Sequence, residues 1–415
     1  MTEQQHQSQT QAKKSPDNIQ YTDVIIVGAG PIGLSMARML SGGELKVHIV
    51  EGQPEDTITN PAFDGREIAI THRTKEMMLN LDQWRHIEPE NVHLLKRAEV
   101  YDGNSPFALG FDKPDSVRGK PIETLGYLLA NHRIRKAAYD ALKNEIANPT
   151  YLTTHFGKRV NAVNTNDEIA EVSLEDGTII RGKLVLAADS RVSFMRKALG
   201  ISADMHDFGR TVLVFGTTHT QSNQQTAHEG FYYGKTLAVL PLGEYKSSMV
   251  ITVDNSQVAR IKAMNKEELA CEMNNWLNGR LGEITVTSDI HSYPLLGVHA
   301  DKFYGNRCAL IGDAAVGMHP VTAHGYNLGM ESVAILGKLL IQAAQKGEDI
   351  ANPRLLARYH VTHSTKTKAM YHGTNAIVKL YTDERPPARF VRRAGLRLSN
   401  SFAPVKRLIT AQLTG

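Results

Sequence analysis

The chain has 415 residues, 41% apolar and 22% charged, enough for one large or two intermeshed cores and unlike a disordered or fibrous protein. A net charge of +4 leaves no electrostatic footprint for nucleic acid, so no nucleic-acid partner is expected. Cys271 and Cys308 share neither a metal-ligand nor a redox spacing, and no apolar run approaches the ~18 residues of a membrane-spanning helix. With no secretory plan at the N-terminus, the expectation is a cytoplasmic protein without a metal site.

Residues 1–20, rich in Gln, Lys, Ser and Thr, read as a disordered tail. Tyr21 opens the ordered chain. Asp23-Val24-Ile25-Ile26-Val27 is a continuous apolar run, the mark of a strand buried on both faces of a parallel sheet. It breaks at Gly28-Ala29-Gly30-Pro31-Ile32-Gly33, continues as a helix through Leu40, and turns at Gly42-Gly43. A second strand follows, Lys46 to Val50, ending in Glu51. Strand, G-x-G-x-x-G, helix, strand and acid together make the dinucleotide fingerprint. Gly28 permits the tight turn, Gly30 lets a pyrophosphate approach the backbone, and Gly33 lets the helix pack closely. Glu51 would accept hydrogen bonds from ribose hydroxyls. These residues leave open whether the dinucleotide is FAD or NAD.

Further along, Asp64-Gly65-Arg66 leads through Ile70 into a helix near Thr71 to Leu81. Arg66 either closes over a cofactor or is a solvated charge at a helix start. Gly126 to Asn144 reads as an amphipathic helix with Leu128, Leu129, Ile134, Ala138 and Leu142 on its apolar side. Arg133 and Arg135 lie on it; either could reach a phosphate, the alternative being an exposed basic face. Residues 158–189 alternate as a hairpin and finish in a second apolar run, Lys183 to Ala188, ending in Asp189. A third run, Cys308 to Ile311, stops at Gly312-Asp313. It crosses a loop of small residues with His319 and Pro320, then becomes a long apolar helix at Ala323-His324-Gly325.

All three runs deliver polar residues at their C-terminal ends, the edge at which open α/β sheets bind ligands. The first and last are far apart in sequence, so one cofactor domain is expected from 21–70, 126–204 and 301–345. The insertions, 71–125 and 205–300, alternate over Thr211–Thr217, Gly230–Tyr233, Thr236–Pro241 and Ser247–Val253, which predicts an antiparallel substrate layer. Tyr232, Tyr233 and His228 either line that layer or pack its core. Residues 346–415 read as C-terminal helices. From Arg385 to Gly415 there are seven Lys or Arg and no Asp or Glu. Phe390, Val391, Ala394 and Leu398 oppose Arg389, Arg392, Arg393 and Arg397 on a wheel. The segment is either a basic surface helix or an interfacial helix making peripheral contact with the inner membrane.

The order of these motifs resembles the group A FAD monooxygenases of the p-hydroxybenzoate hydroxylase type, and within them the ubiquinone-biosynthesis hydroxylases of the UbiH/UbiF/VisC family. The resemblance runs from about Tyr21 to the C-terminal helices. Its specific carriers are Leu310 to Ala315, then His319-Pro320 and Gly325-x-Asn327-x-Gly329, with Tyr293-Pro294-Leu295 ahead of them. It implies an α/β fold: a discontinuous Rossmann-like FAD-binding domain, an inserted mostly antiparallel β substrate domain, and C-terminal helices. It puts Asp313 on the FAD ribityl chain and Gly325 and Asn327 beside the flavin ring, with Pro320 carried over alongside. Arg66 and Arg133 match cofactor-contacting positions, and Asp189 matches a motif serving FAD and reduced nicotinamide. Three departures mark a divergent, UbiM-like branch. Ser190 replaces the Gly after Asp189, Val316 stands where many relatives have His, and Ala323-His324-Gly325 replaces an Ala-Gly-Gln-Gly type of loop.

The resemblance implies hydroxylation of an electron-rich ring through a flavin C4a-hydroperoxide, using O2 and NAD(P)H or another electron donor. His324 is the candidate catalytic residue, as a hydrogen-bond donor to flavin or substrate hydroxyl; otherwise it is a loop histidine packed on the flavin. The implied substrate is a polyprenylated phenol or quinone precursor, with C5 of a demethoxy intermediate as the expected position, handled within a ubiquinone-biosynthesis complex. Two rivals stand beside this reading: a flavin hydroxylase of a soluble aromatic acid, and a non-catalytic FAD-binding subunit.

Overall fold

The computed structural model describes residues 18–43, 45–103, 108–117, 119–232, 234–319 and 324–382, together with Thr410 and Thr414. Pro320, Ala323, Tyr233 and nearly all of the basic segment 385–415 lie outside the described residues.

The chain begins with β1 (Val24–Val27), α1 (Pro31–Ser41) and β2 (Val47–Glu51). It continues through β3 (Glu67–Ile70), α2 (His72–Asn80), β4 (His93–Leu95), β5 (Arg97–Asp102), β6 (Gly126–Ala130) and α3 (Asn131–Asp140). Next come β7 (Leu152–Phe156), β8 (Leu184–Ala187), the long β9 (Ala203–His219), β10 (Thr226–Tyr232), β11 (Lys235–Pro241) and β12 (Lys246–Asp254). The chain then runs through α4 (Lys266–Leu277), β13 (His291–Ala300), β14 (Cys308–Leu310), α5 (Gly325–Gln345) and α6 (Pro353–Thr382).

Three layers follow from this order. Among the described residues a six-stranded sheet runs β7-β2-β1-β8-β14 and then Tyr304–Gly305, parallel except for that last strand. β8 thus joins β1 to β14, which builds the discontinuous cofactor domain. Its strands are apolar on both faces because they are covered by α1 and α5, which pack on each other, and by the strands Ala170–Leu174 and Ile179–Gly182; Val24, Ile25, Ile26, Leu184 and Leu310 are fully buried. A nine-stranded sheet contains β13-β9-β12-β11-β10-β5 in that order, antiparallel except for the β10–β5 pair. One of its faces is covered by α4, which starts in a capping box between Asn265 and Glu268. Between the two layers sits a small antiparallel sheet, β3-β6-β4.

Three expectations are corrected. Gly126–Ala130 is a strand, and the helix begins only at Asn131. A short apolar run does not discriminate strand from helix by periodicity, and here the free edges of β3 and β4 supply hydrogen bonds that decide it. Arg66 accordingly precedes a strand rather than a helix; the helix starts six residues later, where the Thr71 hydroxyl accepts the Thr74 N–H. The tail expected to reach residue 20 ends earlier, because Ile19–Tyr21 pair in parallel with Ile179–Arg181. Ile70, Met78 of α2, Ile134 of α3 and Met330 of α5 share one packed cluster.

Candidate FAD and substrate site

The β1–α1 turn is shaped by steric necessity. Gly28 has φ +110°, and a Cβ there would lie 2.4 Å from the Ala188 carbonyl oxygen on β8's exit. At Gly33 an added Cβ would lie 1.9 Å from the Gly28 oxygen, so the helix sits directly on the turn. A Cβ at Gly30, by contrast, would meet nothing within 4 Å. Gly30 faces open space beside the first turn of α1, whose N–H groups have no intrahelical partners. Glu51 closes this end: Oε2 accepts the Ala29 N–H at 2.8 Å and Oε1 the Gln53 N–H at 2.9 Å. The cleft here measures about 380 Å³ and is lined by Gly28, Gly30, Glu51, Lys158, Asp189 and Ser190. The structure therefore brings Gly28, Gly30, Glu51 and Asp189 together, with Gly33 supporting them from beneath.

Asp189 is occupied locally. Its Oδ1 accepts from the Ser193 hydroxyl at 2.6 Å and its Oδ2 from the Met195 N–H at 2.9 Å, which holds the start of a short helix, Phe194–Ala198. Ser190 has φ +86°, a conformation that suits glycine. Asp313 lies in the turn after β14, where Arg191 Nε donates to it at 2.9 Å while Arg191 Nη1 donates to the Leu296 carbonyl at 2.9 Å. Buried Arg196 supports the same turn by donating to the Ala314 carbonyl at 2.9 Å. Sequence reasoning missed both arginines. Their only signal was adjacency to Asp189, and the partner Asp313 lies 122 residues from Arg191.

His324 is the N-cap residue of α5, with the Leu328 N–H donating to its carbonyl at 2.9 Å. A Cβ at Gly325 would meet nothing within 4 Å, so the helix start borders open space. The Asn327 side chain clips the helix to β3: its Nδ2 donates to the Ala69 carbonyl at 2.8 Å and its Oδ1 accepts the Thr71 N–H at 3.1 Å. Arg66 pairs with Asp64 at 2.6 Å and lies 4.9 Å over the Tyr293 ring. Asp64 also accepts from Asn131 Nδ2 at 2.7 Å, and the Tyr293 hydroxyl donates to its backbone carbonyl. Burial opposes ionisation of Asp64, but Arg66 and Asn131 hold its carboxyl below the usual range. Arg133 stands apart from this group, on a part-exposed side of α3, where it pairs with Glu88 at 3.4 Å. His319 is buried with Phe208 edge-on at 5.2 Å; burial, with Arg191 and Arg210 nearby, pushes its imidazole down to about 4.

His228 and Tyr232 lie on the α4 side of the large sheet. The Tyr232 hydroxyl donates to the Trp276 carbonyl at 2.6 Å, and His228 lies 3.5 Å from Glu99. The opposite face holds an apolar cluster of Val212, Val214, Val250, Phe208, Leu295 and Tyr293.

Residues 21–374 match the family described as "FAD binding domain". The chain belongs to this family. It is 48% identical over 395 residues to "Ubiquinone hydroxylase UbiM" of Neisseria meningitidis, spanning 95% of this chain and 85% of that one. It is 29% identical to "Ubiquinone hydroxylase UbiL" of Rhodospirillum rubrum over 95% of this chain and 89% of that one. To "3-demethoxyubiquinol 3-hydroxylase" of Escherichia coli it is 26% identical over 94% and 97%. Among solved structures, p-nitrophenol 4-monooxygenase PnpA from Pseudomonas putida superposes with TM-score 0.74 at 18% identity, covering 95% of this chain and 99% of that one. The probable FAD-dependent monooxygenase pqsL from Pseudomonas aeruginosa superposes with TM-score 0.72 at 19% identity, covering 91% and 100%. The α/β fold is thus that of the p-hydroxybenzoate hydroxylase-like flavoproteins, and within them the chain is a ubiquinone-hydroxylase homologue that uses FAD as an FAD-dependent monooxygenase. The residues present fit the cofactor: open Gly30, the unpaired N–H groups of α1, the Glu51 carboxylate and the open start of α5 suit a dinucleotide with an anion-accepting ring at one end. Among the described residues no helix is long and apolar enough to cross a membrane.

Proposed function

We propose that this chain hydroxylates the aromatic ring of a polyprenylated phenol on the route to ubiquinone, at C5 of a demethoxy intermediate, with O2 and NAD(P)H as co-substrates. One arrangement carries the reading: the apolar face of the large sheet meets the cofactor domain, with Phe208 edge-on to His319, the Tyr293 hydroxyl on the Asp64 carbonyl, and Arg191 joining Leu296 to Asp313. A lipid-tailed ring needs an apolar wall and an FAD-binding chain, and the names of the relatives, ubiquinone hydroxylases at 48% and 29% identity, support that substrate class.

The bound FAD supplies reductive activation of O2 and delivery of one oxygen atom to the ring. The chain's residues do the remaining work. The α1 N–H groups would bind the diphosphate and Glu51 the ribose. Asp313, steadied by Arg191, would face the ribityl chain. The first turn of α5, fixed to β3 by Asn327, would favour negative charge at the ring once it is reduced. The apolar face would exclude water, which limits loss of oxygen as hydrogen peroxide. A basic 385–415 segment would hold the protein at the bilayer in which the substrate resides.

The test is quinone profiling of a strain lacking this chain, with the purified, FAD-loaded protein assayed beside it. The expected result is accumulation of intermediates missing one ring hydroxyl, cured by the wild-type chain and not by an Asp313→Ala variant. If no such intermediate accumulates, the ubiquinone assignment fails.

A further inference from the structure

We propose that Glu67 accepts the proton of the substrate's ring hydroxyl, in a chamber between the small sheet and the apolar face of the large one. The inference rests on the ring-hydroxylation reading and adds to it a proton acceptor that none of the motifs contains.

Strand alternation fixes where Glu67 points. Ile68 and Ile70 of β3 and Leu129 of β6 pack toward α2, α3 and α5. Glu67, Ala69, Leu128 and His93, which are cross-strand neighbours on the same sheet, therefore face the other way, toward the large sheet. Lys246 of β12, in the same strand phase as Val250, acts electrostatically on both Glu67 and His93. Glu67 is also close to the expected flavin end, two residues before Ala69, whose carbonyl takes the Asn327 hydrogen bond from the first turn of α5. On the facing sheet, the register sets His291, Val214, Val250, Ala238, Glu229 and Val100 in one cross-strand row. Glu229 is the one acid in that row and is part-buried.

Glu67 is poorly satisfied for a structural carboxylate. Its Oε2 is buried, and among the described residues it has no hydrogen-bond partner. Such an atom costs stability unless a ligand group completes it. The charged and titratable groups around it are Asp64 and Arg66 on its own loop, His93 on β4, Lys246 on β12 and Tyr293 on β13. Burial first, then the Asp64 charge, push the Glu67 carboxyl up to about 8, with Lys246 opposing. That brings its basicity closer to a phenol's than an ordinary carboxylate's. In the step, the substrate O–H bond breaks and a Glu67 Oε–H bond forms. The bonding pair stays on the ring oxygen, and the resulting phenolate is richer in electrons at the carbons ortho and para to it.

The test uses the FAD-loaded enzyme with 2-prenylphenol as probe. Difference absorbance of the flavin reports binding of the probe across pH, without turnover. In the wild type, binding is expected to tighten as pH rises through about 8, where Glu67 becomes a carboxylate able to accept the phenol O–H, and the O-methyl ether of the probe should show no such rise. Glu67→Gln should remove that pH dependence and lower the hydroxylation kcat about 10²-fold, removing the rise in rate through pH 8. Glu67→Asp should recover part of both, and FAD content checks that each variant folds. Glu67→Gln with the wild-type pH dependence of binding and an unchanged pH limb overturns the proposal. A wild type that binds the probe in this pH-dependent way but forms no hydroxylated product overturns the functional reading instead, leaving Glu67 judged by the binding arm.

Discussion

The two sheets meet their ligands with different chemistry. The parallel sheet presents backbone: gaps left by Gly28 and Gly30, helix N–H groups, and acids held by short local hydrogen bonds. The large sheet presents side chains, an apolar wall with Glu229 set in the same cross-strand row as Val214 and Val250. The contrast has an electrostatic side. Burial pushes His48, on β2 of the parallel sheet, down to about 4, and pushes Glu229 and Glu67 up to about 8. In both layers burial favours the neutral form, but for a base and for an acid that means sensitivity at opposite ends of the pH scale.

The largest expected effect strikes the backbone side. Gly33→Ala puts a Cβ 1.9 Å from a backbone oxygen, which neither partner can yield to without moving α1 off the turn. A loss of about 3 kcal/mol and of bound FAD is expected, read by thermal unfolding and flavin absorbance. Gly30→Ala is the counterpart: with open space around it, stability should stay within about 0.5 kcal/mol while FAD affinity falls. Equal destabilisation by the two would break the claim that Gly30 is kept open for a ligand.

Next is the large sheet. The folded Glu229 carboxyl titrates near 8 and the unfolded one near 4.5, so the folded state binds the extra proton between those values. Stability is full below about 4.5 and declines as pH rises through 8. Glu229→Gln should raise stability at pH 8.5 by on the order of 2 kcal/mol, discounted for water reaching the chamber, and change little at pH 5. Denaturant midpoints at the two pH values decide it.

His48 supplies the mirror image. Its Nδ1 shares a 3.1 Å hydrogen bond with His155 Nε2 across β2 and β7; burial lowers both imidazoles, helped by His155 at His48 and by Lys158 at His155. The unfolded imidazole titrates near 6.5 and the folded one near 4, so the unfolded state binds more protons in that window. This stability is complete above 6.5 and is lost as pH falls toward 4. His48→Gln should flatten that slope by about 1 kcal/mol per pH unit. An unchanged acid slope would remove His48 from the comparison.

The same contrast governs what was legible in the sequence. Backbone chemistry leaves a pattern, because glycines must stand at fixed offsets between an apolar run and a helix. Gly28, Gly30, Gly33 and Glu51 could therefore be read in a line of text, and Asp189 and Asp313 as acids ending buried strands. Glu67 could not. In Glu67-Ile68-Ala69-Ile70 it occupies the polar phase of an alternating strand, which reads as solvent-facing, and only the stacking of a second sheet turns that side inward. Glu229 is hidden in the same way. The Arg191–Asp313 pair joins two strand ends that become neighbours only through β8 and β14. Leu128 and Leu129 suit a helix or a strand equally, and the edges of β3 and β4 settled the matter.

The smallest expected effect tests whether the backbone rule holds where the sequence departs from it. Ser190 follows Asp189 at the rim of the dinucleotide cleft with φ +86°, a region that costs a residue with a Cβ about 1–3 kcal/mol. Ser190→Gly removes that strain but adds conformational freedom to the unfolded chain, which returns about 0.4–1 kcal/mol of the gain. A net stabilisation of about 0.5 kcal/mol is expected, with no loss of FAD, because the cleft is shaped here by main chain. Ser190→Ala separates the causes. It keeps the strain and removes only the hydroxyl, so it should leave thermal stability unchanged. If Ser190→Ala weakens FAD or reduced-nicotinamide binding while Ser190→Gly does so equally, the hydroxyl is a ligand contact. This corner of the parallel sheet would then work by side chain, as the large sheet does.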